Sequence, residues 1–241
     1  MRMPWIIAHR GASGHAPENT LAAFERAVEL GAVFIETDLR LTRDARFVAI
    51  HDSTLERTTN GQGKVQDFTL AELRQLDAGS WFGPEFAGQR IPTLDEILEF
   101  AQTRDVVFYL EIKYAGTWGM HPALSGALQQ PEMAAHTIVI SFDPDALVTL
   151  RRLNSTLMLG LLVEKGEQDL VQLALDVGVR QICPRWDLVT AELVERARHA
   201  DLHVVPWTVN DPAEMRRLVD AGVNGIMTDF PDRLRAVLAE S

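Results

Sequence analysis

Residues 137–163 read Thr-Ile-Val-Ile-Ser-Phe-Asp-Pro-Asp-Ala-Leu-Val-Thr-Leu-Arg-Arg-Leu-Asn-Ser-Thr-Leu-Met-Leu-Gly-Leu-Leu-Val, and this stretch decides the fold. It opens on an apolar run of strand length (137–141) and closes on another (157–163). Between them Leu147, Leu150 and Leu153 recur at three-residue spacing, which lays an apolar stripe along one face of a helix. Asp143 before Pro144 supplies the start: a carboxylate to accept the first free N–H groups, and a φ already set for the first turn. One strand, one amphipathic helix and a second strand make one unit of an alternating α/β chain.

Working outward, the unit repeats. Apolar runs at 180–183, 203–207 and 224–228 follow, with Met215, Leu218 and Val219 forming the stripe of an intervening helix. Thr190 before Ala191, Asp211 before Pro212, and the segment 229–231 read as further helix starts. Toward the N-terminus, 5–9 and 33–41 read as strands, 19–30 and 93–103 as helices, and 106–113 as a strand. Eight strand cores therefore begin near 5, 33, 106, 137, 157, 179, 203 and 223. This count predicts a (β/α)₈ barrel, an α/β TIM-type fold. The alternative is an open doubly wound sheet, but His9-Arg10-Gly11-Ala12-Ser13-Gly14 has the wrong glycine spacing for a dinucleotide loop after the first strand.

One interval is irregular. From 33 to 106 the chain is about 45 residues longer than a strand-plus-helix unit requires. The excess holds the short run 47–51, a Thr/Asn/Gly turn at 58–61, and a Gly/Trp/Phe-rich stretch from 77 to 91. It reads as an insertion on one barrel loop, about 52–90, with Trp81 and Phe82 expected in a small apolar core of its own or as part of a lid. No low-complexity linker divides the 241 residues, so a single domain over 1–241 is expected.

Composition narrows the function. There are 23 Lys and Arg against 34 Asp and Glu, a formal net charge of -11. That balance opposes binding to nucleic acid or an anionic membrane surface, but not to a small anion held by a local group of cations. The single cysteine, Cys183, cannot form an intrachain disulfide. No apolar run approaches the length of a membrane span, and the four-residue apolar stretch at 5–8 is too short for a secretory signal. A cytoplasmic protein without stable membrane insertion is expected.

In a barrel, chemistry belongs at the C-terminal strand ends. His9 and Arg10 end the first predicted strand; Glu36 and Asp38 lie on the second; His51 ends the run 47–51; Glu111 and Lys113 end the strand 106–113; Trp207 ends the seventh. Glu36-x-Asp38 and Glu111-x-Lys113 have period two, so each pair projects from one face. Taken alone, such acids can equally be surface groups or donors to a shared cation. If they converge, oxygen donors without thiolate suit a hard ion such as Mg²⁺ or Ca²⁺. Arg10 and Lys113 suit either a phosphate oxygen or ion pairs with those acids. His9 and His51 stand at strand exits beside Arg10 and Asp52, which suits paired acid–base work, although packing is the commoner fate of a histidine. Asn19 or Thr20 caps the first helix in the simplest reading of Pro17-Glu18-Asn19-Thr20, and Trp207 is either packing or an apolar wall for substrate.

Taken in order, His9-Arg10-Gly11, Pro17-Glu18-Asn19-Thr20, Glu36-x-Asp38, His51-Asp52, Glu111-x-Lys113 and Trp207-Thr208-Val209-Asn210 resemble the glycerophosphodiester phosphodiesterases, particularly the short bacterial cytoplasmic type. The stretch 76–93 is similar to the insertion of that family. The resemblance implies a TIM barrel with a small inserted subdomain and metal-dependent hydrolysis of glycerophosphodiesters to glycerol 3-phosphate and an alcohol. Position by position it implies His9 and His51 as the acid–base pair, Glu36, Asp38 and Glu111 as ligands of one divalent cation, and Arg10 and Lys113 as phosphate contacts. Phosphatidylinositol-specific phospholipases C share a related barrel and a histidine pair, but no membrane-docking stripe is evident here. A barrel that only holds a phosphorylated metabolite is the competing class, and the presence of both histidines speaks against it.

Overall fold

The computed structural model describes residues 3–113, 120–166 and 169–240. Its strands are β1 (Trp5–Ala8), β2 (Phe34–Leu41), β3 (Phe47–Ala49), β4 (Val107–Ile112), β5 (Thr137–Ser141), β6 (Met158–Val163), β7 (Gln181–Pro184), β8 (His203–Val204) and β9 (Gly225–Thr228). All but β3 pair in parallel, in the order β8-β7-β6-β5-β4-β2-β1-β9. The two ends of that order meet through Asn224 N–H to Val204 O and Met227 N–H to Pro206 O, both 2.9 Å. Pro206 has no N–H to give, so the seam cannot continue as a regular ladder. The result is a nearly closed eight-stranded TIM-type barrel, as the alternation predicts.

Helices cover the outside. They include α1 (Leu21–Glu29), the short α2 (Leu70–Leu73) and α3 (Leu94–Arg104). Thr20 caps α1 by accepting from Ala23 N–H, and Thr93 and Glu96 form a capping box on α3. Asp143, Thr190 and Asp211 cap their helices as expected. Segment 229–231 does not: Phe230 stands at the cap without a side-chain bond, because Asp229 is engaged elsewhere.

Side chains alternate across each strand, and this positions the site. Ile7, Tyr109, Ile138, Ile140, Leu162, Cys183, Val205 and Met227 fill the barrel interior, with Phe34 packed against them. Their strand neighbours Ala8, Ile35, Phe108, Leu110, Val139 and Leu161 face the helices. Two residues further along, about 6.6 Å nearer the C-terminal mouth, the inward face turns polar or aromatic. Ile7 leads to His9, Phe34 to Glu36 and Asp38, Tyr109 to Glu111 and Lys113, Val205 to Trp207, and Met227 to Asp229.

The irregular interval leaves the barrel at the mouth. β3 folds back antiparallel on the last residues of β2, with Leu39 opposite Ala49 and Leu41 opposite Phe47. Val48, Ile50, Leu55, Val65, Leu73, Ala78 and Ile91 bury a small separate core. Arg74 ties this segment to α3 by a two-pronged contact with Glu96, both bonds 2.8 Å. Trp81 does not enter that core as expected: it is 40% exposed, packs edge-on to Phe82, and gives its indole N–H to Ala78 O.

Candidate active site

Glu36, Asp38 and Glu111 are buried side by side, because β2 and β4 pair with Asp38 directly opposite Glu111. Each offers an oxygen lying within 4.8 Å of the others. Glu36 Oε1, Asp38 Oδ1 and Glu111 Oε1 are all buried, and Glu36 Oε1 has no hydrogen-bond partner among the described residues. Lys113 Nζ stands 3.0 Å from Asp38 Oδ1 and 2.5 Å from Glu111 Oε1, an ion pair with both. Burial, with the charges of Asp38 and Glu111, pushes the Glu36 carboxyl well above the usual carboxylate range. Burial and Asp38 likewise push Glu111 up to about 7. Burial acts on Asp38 too, but Arg10 and Lys113, with His51 and a bond from Asn19, outweigh it and hold that carboxyl low. Three buried carboxylates that converge without a soft donor fit a hard divalent cation.

The turn after β1 supplies the next contacts. Arg10 and Gly11 both have positive φ, 56° and 83°. A side chain on Gly11 would meet Ala23 at 2.6 Å, so only glycine lets the turn pass beneath α1. The strained backbone at Arg10 points its N–H at Glu36 Oε2, 2.9 Å away. Its guanidinium reaches Glu18 at 2.9 Å and lies 3.2 Å from Asp38. Asn19, also at positive φ, donates to Asp38 Oδ2 at 2.8 Å and accepts from Thr37 Oγ1 and Asp38 N–H. It is Thr20 alone that caps the helix; Asn19 fixes a carboxylate of the triad.

Both histidines have a carboxylate behind them. His9 Nδ1 is 2.7 Å from Asp229 Oδ1, and its Nε2 lies 3.8 Å from Glu36 Oε2. Asp229 also accepts from Ser13 Oγ at 2.9 Å and Asn210 Nδ2 at 2.6 Å. Burial opposes these contacts, yet the bonds from His9, Asn210 and Ser13 bring Asp229 down to about 2. His51 Nδ1 is 2.7 Å from Asp52 Oδ1, and Arg40 holds the His51 carbonyl at 2.8 and 2.6 Å. A carboxylate acceptor places the ring proton on Nδ1 and leaves Nε2 to work. Burial, aided by Arg10 and Lys113 and opposed by Asp38 and Asp52, holds the His51 imidazolium below its ordinary pKa.

His9, Arg10, Glu36, His51, Glu111, Lys113 and Trp207 line one cavity of about 290 Å³, with Phe142 and Glu164 at its side. Trp207 gives its indole N–H to Cys183 O at 2.7 Å and meets Phe142 edge-on at 5.4 Å, so it packs and also walls the cavity. All residues singled out by sequence therefore converge, Asp38 from just beneath the floor. Sequence reading missed Asp229, Ser13, Asn210, Glu18, Arg40 and Arg57 as partners. Asp229 had a readable signal, its place at the end of the last barrel strand, but the following Phe-Pro made it look like a helix cap.

A TIM barrel with an acidic, cation-flanked mouth of this kind can hold a divalent cation and an anionic substrate side by side. The chain belongs to the glycerophosphoryl diester phosphodiesterase family, whose profile matches residues 9–233. It is 42% identical over 231 residues to the glycerophosphodiester phosphodiesterase of Caldanaerobacter subterraneus subsp. tengcongensis, covering 95% of each chain. To that of Bacillus subtilis it is 37% identical over 254 residues, covering 96% of this chain and 85% of the relative. An Oleispira antarctica phosphodiesterase solved in complex with the product sn-glycerol-3-phosphate has a TM-score of 0.90 at 30% identity, covering 98% of this chain and 97% of that one. The chain is thus a phosphodiester hydrolase.

Proposed function

We propose that the chain hydrolyses glycerophosphodiesters to glycerol 3-phosphate and an alcohol, with one divalent cation, Mg²⁺ or Ca²⁺, held by Glu36, Asp38 and Glu111. The observation that carries this reading is the buried carboxylate triad, each member offering an oxygen within 4.8 Å of the others, in a mouth shared with two carboxylate-backed imidazoles. When bound, such a cation withdraws charge from a phosphate oxygen and favours ionisation of a nearby hydroxyl.

The residues of the chain do the rest. Arg10 and Lys113 hold the phosphate oxygens and meet the charge that develops on them. His51, held neutral by burial, takes the proton of the glycerol hydroxyl next to the phosphoester. That oxygen attacks phosphorus, an intramolecular step favoured by proximity. His9, held by Asp229, gives a proton to the departing alcohol oxygen as its bond to phosphorus breaks. In the second step His9 takes a proton from water, water opens the cyclic phosphate, and His51 returns its proton to the glycerol oxygen. Trp207 walls the substrate cavity on its apolar side.

The same reading takes 1–241 as one catalytic domain in which 52–90 is an inserted segment and the hairpin before it carries His51. No helix among the described residues is long and apolar enough to cross a membrane. With the lone Cys183 buried, a cytoplasmic site of action suits the chain. The test is a panel of deacylated phospholipids bearing choline, ethanolamine, glycerol or inositol, with glycerol 3-phosphate as the product measured. A diester lacking the neighbouring hydroxyl should be cleaved far more slowly; an unchanged rate would replace the cyclic route by direct attack of water.

A further inference from the structure

We propose that Arg57, on the inserted segment, is a positioning residue that sets His51 and Arg10 with a single guanidinium. The proposal rests on the roles given to those two residues above. Arg57 sits in the turn region after β3 and touches neither the acidic triad nor the cavity lining. Its Nε donates to Asp52 Oδ2 at 2.7 Å and its Nη2 to Asp52 Oδ1 at 3.0 Å. Its Nη1 donates to Glu18 Oε2 at 2.7 Å, while the same Nη2 reaches Glu18 Oε1 at 2.8 Å. Two carboxylates are thereby each held by two bonds, and one nitrogen is shared between them.

Each of those carboxylates leads to a working group. Asp52 holds His51 Nδ1 at 2.7 Å, and Glu18 holds Arg10 Nη1 at 2.9 Å. A continuous chain of charge-assisted bonds therefore runs from His51 through Asp52, Arg57 and Glu18 to Arg10. Arg40 fixes only the backbone carbonyl of His51, so the imidazole ring depends on Asp52 for its orientation. Without Arg57, Asp52 and Glu18 would face each other as two carboxylates with no cation between them; Asp52 would be free to swing away, and Glu18 would keep only its bond from Arg10. The chain also gives the inserted segment a purpose that its own small core does not explain: it docks one cation onto the barrel's first loop.

Arg57 is 42% exposed, so its ion pairs add little to stability. Positioning and mere structural support thus make different predictions. A lysine offers one point charge and cannot make both two-pronged contacts.

The experiment is steady-state release of glycerol 3-phosphate by Arg57→Ala, Arg57→Lys, Asp52→Asn, Glu18→Gln and the double variant Asp52→Asn/Arg57→Ala, in the cation-loaded enzyme. The melting temperature and the ¹⁵N imidazole spectrum of His51 are recorded alongside. Arg57→Ala should lower kcat by about 10-fold, the low end of the range typical of lost outer-shell partners, and raise KM, with the melting temperature little changed. Arg57→Lys should recover only part of this, and added guanidinium should restore activity to the alanine variant. Asp52→Asn should act mainly on kcat and Glu18→Gln mainly on KM. The double variant should lose no more kcat than the worse single one, because one chain of bonds is being cut twice. The His51 spectrum should change from one tautomer to an average of two in Arg57→Ala. Constants within about twofold of wild type for Arg57→Ala, or additive losses in the double variant, would overturn the proposal. If wild type releases no glycerol 3-phosphate from any diester but the tautomer still averages in Arg57→Ala, positioning stands and the substrate reading fails.

Discussion

His9 and His51 end in the same contact, an Nδ1–carboxylate distance of 2.7 Å, but reach it by opposite routes. His9 follows the first barrel strand and Asp229 the last, 220 residues apart, so closure of the barrel makes the pair. Ser13 then donates to the same Asp229 oxygen and Asn210 to the other. His51 takes its carboxylate from the next residue, outside the barrel wall, and that carboxylate is steadied by an ion pair with Arg57. The side chains differ accordingly in exposure, 16% for His9 and 33% for His51. A fold can therefore orient one imidazole through its global topology and the other through local chain and surface charge. The first is rigid as long as the barrel is folded; the second can be loosened without unfolding anything.

The largest effects should come from removing the imidazoles themselves. His9→Ala and His51→Ala should each lower kcat by about 10²–10⁴-fold, as expected when acid–base catalysis is lost. Cation affinity measured by calorimetry should survive both changes, since neither ring is a ligand; loss of affinity would assign a ring to the metal. Next come the backing carboxylates, where the two routes should part. In Asp229→Asn only one acceptor oxygen remains for three donors, so kcat should fall by about 10²-fold, against about 10-fold for Asp52→Asn, whose surroundings can readjust. Equal losses would erase the distinction between the two routes.

The acidic triad gives a pH dependence of intermediate size. Glu111 is pushed up to about 7, so at pH 6 it mostly holds a proton that an incoming cation must displace, and burial shifts Glu36 in the same direction. Cation affinity should therefore rise with pH through neutrality, by up to about tenfold per pH unit for each proton displaced. Calorimetry in buffers of different ionisation enthalpy should show the released protons, and an affinity flat from pH 6 to 8 would contradict the buried-triad reading. Smallest are the stability effects on the inserted segment. Leu55→Ala should cost about 2–5 kcal/mol by denaturant unfolding, whereas exposed Trp81→Ala should stay within about 0.5 kcal/mol.

The same contrast decides what was legible in the sequence. Local patterns carried through: the strand–helix alternation, the period-two pairs Glu36-x-Asp38 and Glu111-x-Lys113, and the adjacency of His51 and Asp52 are statements about neighbours, and the barrel places them as read. The surplus length between 33 and 106 showed in the sequence, and part of it forms the small separate core around Leu55 and Leu73. What did not show was contact across the closed barrel. Asp229 precedes Phe-Pro and looks like a cap; only the meeting of β1 and β9 turns it toward His9. Asn19 looked like a cap because Thr20 beside it is one, and its left-handed backbone, which aims it at Asp38, leaves no mark in composition. Arg57 sits in a polar turn where an arginine is unremarked until both its carboxylates are placed.

The central claim, that this mouth cleaves glycerophosphodiesters through a cation held by Glu36, Asp38 and Glu111, is tested most directly by one assay. Glycerol 3-phosphate release from glycerophosphocholine is followed in metal-stripped protein before and after addition of Mg²⁺ or Ca²⁺, beside Asp38→Asn treated identically. The account predicts no release by the stripped wild-type protein, recovery on adding the cation, and no recovery in Asp38→Asn. Full release in excess chelator after verified metal removal, or equal recovery in Asp38→Asn, would contradict it.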